Sequence, residues 1–146
     1  MNVTIDTKYT DYRLQPQRAH PTDAGADLRS AETWSLQPGS SKLFDTGVAV
    51  KIPQGFVGLV FNRSSQGKLG IKLANSVGVI DTDYRGNIKV LLENHKFEPY
   101  EVVAGKTRIA QLVIVPVLLA EFKIVENEDK WNNTQRGENG FGSTGA

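Results

Sequence analysis

Short runs of apolar and β-branched residues, each closed by a turn signal, divide most of this chain into strand-sized pieces. Val3 to Thr7 and Thr46 to Ile52 (TGVAVKI) alternate apolar with polar residues, the period of a strand with one buried face. Phe56 to Phe61 (FVGLVF) and Arg108 to Val117 (RIAQLVIVPV) are denser and suit strands covered on both faces. Ile88 to Leu92 and Leu119 to Val125 complete the expected set. Turn signals stand between them at Gln37-Pro38-Gly39-Ser40, Pro53-Gln54-Gly55, Arg85-Gly86-Asn87 and Ala104-Gly105-Lys106. A recurrence of roughly 8–12 residues is that of an all-β sandwich or barrel. One short helix is expected, around Ser64 to Leu69, and no internal repeat is present.

A length of 146 residues fits one domain, with a core large enough to need neither disulfide nor structural metal. The absence of cysteine excludes disulfides, thiolate catalysis and cysteine-zinc sites. His20 and His95, far apart in sequence, read as surface residues, and Trp34 and Trp131 as packing residues. The longest apolar run, Leu112 to Ala120, contains Pro116 and is about half of the roughly 18 residues that a membrane span needs. The opening MNVTIDTKYTDYRL has neither the basic nor the apolar region of an export signal. A soluble, cytoplasmic chain without membrane contact is therefore expected. With 17 basic and 16 acidic residues, the overall field is a poor match to nucleic acid. An anionic ligand would have to be met by a local site.

From Glu126 onward the character changes to ENEDKWNNTQRGENGFGSTGA, polar and rich in glycine. Residues 1–126 are read as the barrel and 127–146 as a mobile arm, since such a tail buries too little apolar surface to order itself. Within it Arg136, Phe141, Ser143 and Thr144 are interleaved with Gly137, Gly140, Gly142 and Gly145. An arginine, hydroxyls and glycine amides can bind phosphate oxygens, and an aromatic ring can stack on a base. On composition alone, a plain disordered terminus and an anion-binding arm both remain open.

Five segments occur in a fixed order: Ala24 to Ser30 (AGADLRS), Asn62 to Ser65 (NRSS), Gly78 to Lys89 (GVIDTDYRGNIK), Arg108 to Val117 and Arg136 to Gly145 (RGENGFGSTG). Together they resemble the five motifs of the trimeric dUTPase family, GVIDTDYRG being the most specific. The resemblance implies a jelly-roll β-barrel and a homotrimer with three active sites between subunits. It also implies hydrolysis of dUTP to dUMP and pyrophosphate, with the C-terminal arm closing over the nucleotide.

By the same resemblance Asp81 is the general base that takes a proton from the attacking water, a role a carboxylate can fill. Asp83 is left a turn role. Tyr84 would pack beneath the deoxyribose and exclude a 2′-hydroxyl. Asn75 would read the uracil edge through its amide, helped by backbone groups from Val79 and Ile80 to Asp81. Lys89 is a further substrate contact. Arg63, Ser64, Ser65 and Gln111 would contact the phosphates, with Arg136, Gly142, Ser143 and Thr144 closing on the γ-phosphate and Phe141 stacking on uracil. Asp27 is placed beside the water shell of Mg²⁺, which would be held mainly by the substrate's phosphates.

Three departures from the family pattern stand out. Asn62 occupies a position often held by proline or a small residue, the stretch Arg63 to Ile71 is about one residue short, and Asn139 replaces a common glycine. The resemblance also raises a rival, the homologous dCTP deaminase. That chemistry needs a glutamate at the cytosine, whereas the VID segment offers Asp81, and it generally lacks the arm phenylalanine. A regulatory partner of the folded protein leaves no readable mark in the sequence.

Overall fold

The computed structural model describes residues 2–126, 131 and 134–140. Among the described residues eleven short strands follow one another, with a single α-helical turn among them. They are β1 (Asp6–Tyr9), β2 (Ala26–Arg29), β3 (Trp34–Leu36), β4 (Ser41–Asp45), β5 (Val48–Lys51) and β6 (Phe56–Phe61). After helix α1 (Ser64–Lys68) come β7 (Ile71–Leu73), β8 (Gly78–Ile80), β9 (Lys89–Asn94), β10 (Tyr100–Val102) and β11 (Arg108–Pro116). Every pairing is antiparallel. The strands form a four-stranded sheet β2-β11-β6-β8, a three-stranded sheet β4-β9-β7, and the pairs β1-β5 and β3-β10. This is the jelly-roll-type β-barrel that the sequence leads one to expect.

The alternation seen in the sequence is the alternation of the barrel wall. Along β9 the even members Val90, Leu92 and Asn94 are buried, while Lys89 faces out. Leu28, Phe44, Ile71, Ile88, Leu92 and Ile109 are completely enclosed and come from five different segments, so one core unites the sheets. Phe44→Ala should therefore lower the unfolding free energy by about 3–5 kcal/mol, read from the denaturant midpoint. The buried polar side chains of Thr46 and Asn94 are paired within the wall. Thr46 Oγ1 donates to the Ile88 carbonyl at 2.7 Å, and Asn94 Nδ2 donates to the carbonyls of Leu36 and Glu98 at 2.8 and 2.9 Å.

Turns fall where glycine was expected to allow them. Gly39, Gly55 and Gly105 have φ of 69°, 81° and 67°, the left-handed region that other residues rarely enter. Between β1 and β2 a 3₁₀ turn, Tyr12–Leu14, is capped by Asp11, whose side chain accepts from the Arg13 amide. The Arg13 guanidinium, hydrogen-bonded to the same carboxylate, holds the Asp11 carboxyl down at about 2.

Several expectations need correction. The first strand starts at Asp6, not Val3. Leu119 to Val125 forms no strand and pairs with no strand among the described residues. Leu118, Leu119, Phe122 and Ile124 are instead more than nine-tenths exposed. Trp34 is half exposed, its ring covered by Lys42 Nζ at 4.7 Å, and Trp131 is 72% exposed, so neither is a core residue of this chain. His20 and His95 lie on the surface as expected, beside Asp23 and Glu93. Among the described residues no helix is long and apolar enough to cross a membrane.

Candidate active site

A cleft of about 220 Å³ opens where β8 runs out into the following turn. Asn75, Gly78, Val79, Ile80, Asp81, Tyr84 and Lys89 line it. Six of these seven are residues singled out in the sequence; Gly78 is the addition. Tight backbone geometry builds the near side. The Val77 amide donates to the Asn75 carbonyl at 2.6 Å, and Ser76 sits at φ 62°. Gly78 lies so close to Val60 that a Cβ there would stand 3.1 Å from the valine's own Cβ. A side chain at that position would press on Val60 and require a shift of a few tenths of an ångström.

The two faces of the cleft differ in chemistry. Ile80 is buried, so it can present only backbone groups, while Asp81 turns its carboxylate into solvent. Tyr84, 40% exposed, follows in a turn closed by its own amide donating to the Asp81 carbonyl at 3.3 Å. Its hydroxyl donates to the Asn87 carbonyl at 2.8 Å, which fixes the ring across the turn. Lys89 enters from the first position of β9. Amide, backbone edge, aromatic face, carboxylate and ammonium thus converge on one small volume.

A second polar cluster gathers on the β2-β11-β6 sheet. Asp27 receives Arg63 Nε at 2.7 Å on one oxygen and an Arg108 NH group at 3.1 Å on the other. Another Arg63 NH group reaches Ser65 Oγ at 3.3 Å, tying the cluster to α1, where Ser64 is exposed at the first helical position. A register shift between Arg108 and Ala110 explains how β11 supplies two residues to one face. Ile109 and Ala110 both turn into the core, so Arg108 and Gln111 both face outward. Arg108 is a site residue that the sequence reading passed over, although it begins the RIAQLV segment. Asp27, expected beside the water shell of magnesium, accepts from two guanidinium groups and so also orients both arginines.

Asn62, read in the sequence only as a departure, ties the cluster together. Its side chain accepts from the Arg63 amide at 3.0 Å and donates to the Ile71 carbonyl at 2.8 Å, closing the short 63–71 segment end to end. Its own carbonyl accepts from Gln111 Nε2 at 3.0 Å. Gln111 in turn lies against Gly25, where a Cβ would meet Gln111 Oε1 at 2.2 Å and Gln111 Cβ at 3.2 Å. Gly25→Ala should displace the glutamine and cost about 1–3 kcal/mol of stability. An unchanged denaturation midpoint would show that Gln111 can move aside freely.

The two clusters do not meet on one chain. Ile80 pairs with Gly58, so Asp81 stands level with Val57, whereas Gln111 pairs with Phe61 at the other end of β6. Four residues of strand separate these levels, roughly 13 Å at about 3.3 Å per residue. Arg136 makes its contact within its own turn, donating to the Asn139 carbonyl at 3.0 Å. Phe141, Gly142, Ser143 and Thr144 lie outside the described residues. Among the described residues no group of three His, Cys, Asp or Glu could hold a metal ion.

Residues 11–145 match the dUTPase family model. The deoxyuridine 5′-triphosphate nucleotidohydrolase of Corynebacterium jeikeium is 47% identical over 132 residues, covering 89% of this chain and 84% of that protein. The dUTPase of Staphylococcus bacteriophage 80alpha, solved with dUPNHPP, superposes with a TM-score of 0.83 at 33% identity, over 99% of this chain and 100% of that one. Phage dUTPases are described there as controlling the transfer of virulence genes. An aspartate-to-asparagine variant of the dUTPase from phage phi11 of S. aureus, which coordinates a structural Mg(II) ion, has a TM-score of 0.77 at 30% identity over 86% of this chain and 98% of that one. With a family model spanning nearly its whole length, and both motif clusters standing in the folded chain, the protein belongs to the dUTPase family.

Proposed function

We infer that this chain hydrolyses dUTP to dUMP and pyrophosphate. The observation that carries the reading is the cleft of Asn75, Val79, Ile80, Asp81, Tyr84 and Lys89, in which an amide, an aromatic ring and a carboxylate stand together. Uracil fits the amide of Asn75 and the backbone of Val79 and Ile80, since both offer a donor and an acceptor. The Tyr84 ring lies beneath the sugar and leaves no room for a 2′-hydroxyl. Asp81 then holds a water against the α-phosphorus and takes its proton as the new P–O bond forms. The bond from the α-phosphorus to the α,β-bridging oxygen breaks, and pyrophosphate leaves with that oxygen.

Arg63, Ser64, Ser65 and Gln111 stabilise the charge that develops on the leaving group, by hydrogen bonds aimed at phosphate oxygens. Magnesium held by the triphosphate, with Asp27 beside its water shell, would supply charge neutralisation and help to orient the α-phosphate. The lack of an acidic cage among the described residues fits an ion carried by phosphates and waters. Arg136, Phe141, Gly142, Ser143 and Thr144 belong to an arm, residues 127–146, that closes the site over the nucleotide.

The separation of the two clusters favours a site shared between copies, which the family resemblance makes a homotrimer. A triphosphate held at Asp81 of one copy would meet the Arg63 cluster of another, and the exposed apolar stretch from Leu118 to Ile124 supplies surface for such contacts. Light scattering should give three times the chain mass of 16.0 kDa. A cytoplasmic location fits a chain without cysteine.

Pyrophosphate release from dUTP, dTTP, dCTP and UTP tests the substrate assignment. Turnover of dUTP well above the other three is expected. Equal turnover of dTTP or UTP would contradict the roles given to the cleft.

A further inference from the structure

The ring of Tyr84 is held by a residue, Asn87, that does not itself line the cleft. Its hydroxyl donates to the carbonyl of Asn87, and the ring lies so flat on the intervening backbone that a Cβ at Gly86 would stand 2.6 Å from that hydroxyl and 2.8 Å from Cζ. The position of the ring therefore depends on where the Gly86-Asn87 backbone is fixed. Asn87 is fixed by its side chain, whose Nδ2 donates to Asp45 at 3.1 Å on one oxygen and 3.4 Å on the other.

Asp45 is itself built into the barrel. It ends β4, directly opposite Lys89 of β9. Its Oδ1 accepts the Gly47 amide at 2.6 Å, and its backbone carbonyl accepts the Ala31 amide at 2.8 Å. Both Asp45 and Asn87 are half-buried, so water competes only partly for their contact. The opposite side of the turn has a separate brace, Arg85, which donates to the carbonyls of Thr82 and Tyr84 at 2.7 and 2.9 Å. That brace holds the chain entering Tyr84 and leaves the ring's far end to Asn87.

We propose that Asp45 is a positioning residue for sugar selection: through Asn87 it sets the height of the Tyr84 ring, and with it the rejection of a 2′-hydroxyl. This inference rests on the reading of Tyr84 as the group beneath the deoxyribose. A ring free to sink by a fraction of an ångström would admit a ribose while leaving Asp81 and the phosphate contacts in place. The effect should thus fall on the ratio of kcat/KM for dUTP over UTP, and much less on dUTP turnover itself.

The test compares that ratio in the full chain and in four variants. Asn87→Asp sets two carboxylates face to face and should lower the ratio about tenfold, the scale of one lost charged hydrogen bond. Asn87→Ala, which only removes the amide, should lower it by a smaller factor. Asp45→Asn combined with Asn87→Asp restores a donor and an acceptor in reversed order and should recover most of the ratio, which a general loss of stability would not do. Tyr84→Ala is the control and should collapse the ratio. Should Tyr84→Ala leave the ratio unchanged, the sugar-reading role and the inference both fail. Should Tyr84→Ala collapse it while the Asn87 variants keep the native ratio, the Asp45 inference alone is overturned.

Discussion

Asp81→Asn should lower kcat for dUTP by about 10²–10⁴-fold, the usual contribution of a positioned general base. Asparagine has the shape of aspartate and cannot take up a proton from water. The variant should keep its melting temperature, because the Asp81 side chain is exposed and no core contact depends on it. It should also keep its affinity for dUTP, since the uracil and sugar contacts are assigned in our proposal to Asn75, Val79, Ile80 and Tyr84. Kinetics together with equilibrium binding separate these effects. Loss of binding in parallel with turnover would move Asp81 from proton acceptor to binding group. Full activity would remove it from the mechanism.

Arg63→Ala should reduce kcat/KM for dUTP by about 10²–10³-fold, the cost of removing one preorganised donor to developing charge. Two effects add here. The phosphate contact proposed for the guanidinium is removed, and Asp27 loses one of the two arginines that hold its largely buried carboxylate. A carboxylate with half its compensation, close to a triphosphate, repels the substrate. Adding Asp27→Ala to Arg63→Ala should therefore restore part of the lost kcat/KM, and the coupling can be read from a double-mutant cycle. Additive losses in the double variant would mean that Asp27 serves the site by some route other than Arg63.

The sequence reveals most of the barrel where strands are long or densely apolar. Phe56–Phe61 and Arg108–Pro116 stand almost where their β-branched runs place them, and α1 stands within one residue of its expected range. Strands of three residues, such as Trp34–Leu36 and Tyr100–Val102, are too short to show a period of two and went unread. The failure at Leu119 to Val125 has a different cause. Apolar alternation reports that a segment wants a covered face, but not whether its own chain supplies the cover.

The site divides in the same way. Asn75, Asp81, Tyr84 and Lys89 share a short segment or its border, so a motif could place them together. Arg108 escaped because its outward direction depends on the register shift after it, which no simple alternation discloses. Asn62 and Gly25 escaped because they act through backbone contacts and close approach, not through chemistry visible in their side chains. Asp45 lies 42 residues from Asn87 in the chain, and only the barrel joins them.

Hydrolysis of dUTP in water labelled with heavy oxygen tests the central claim most directly. Attack by an Asp81-held water at the α-phosphorus places the label in dUMP and leaves pyrophosphate unlabelled. Label found in pyrophosphate would put the attack at the β-phosphorus and contradict the mechanism built on Asp81.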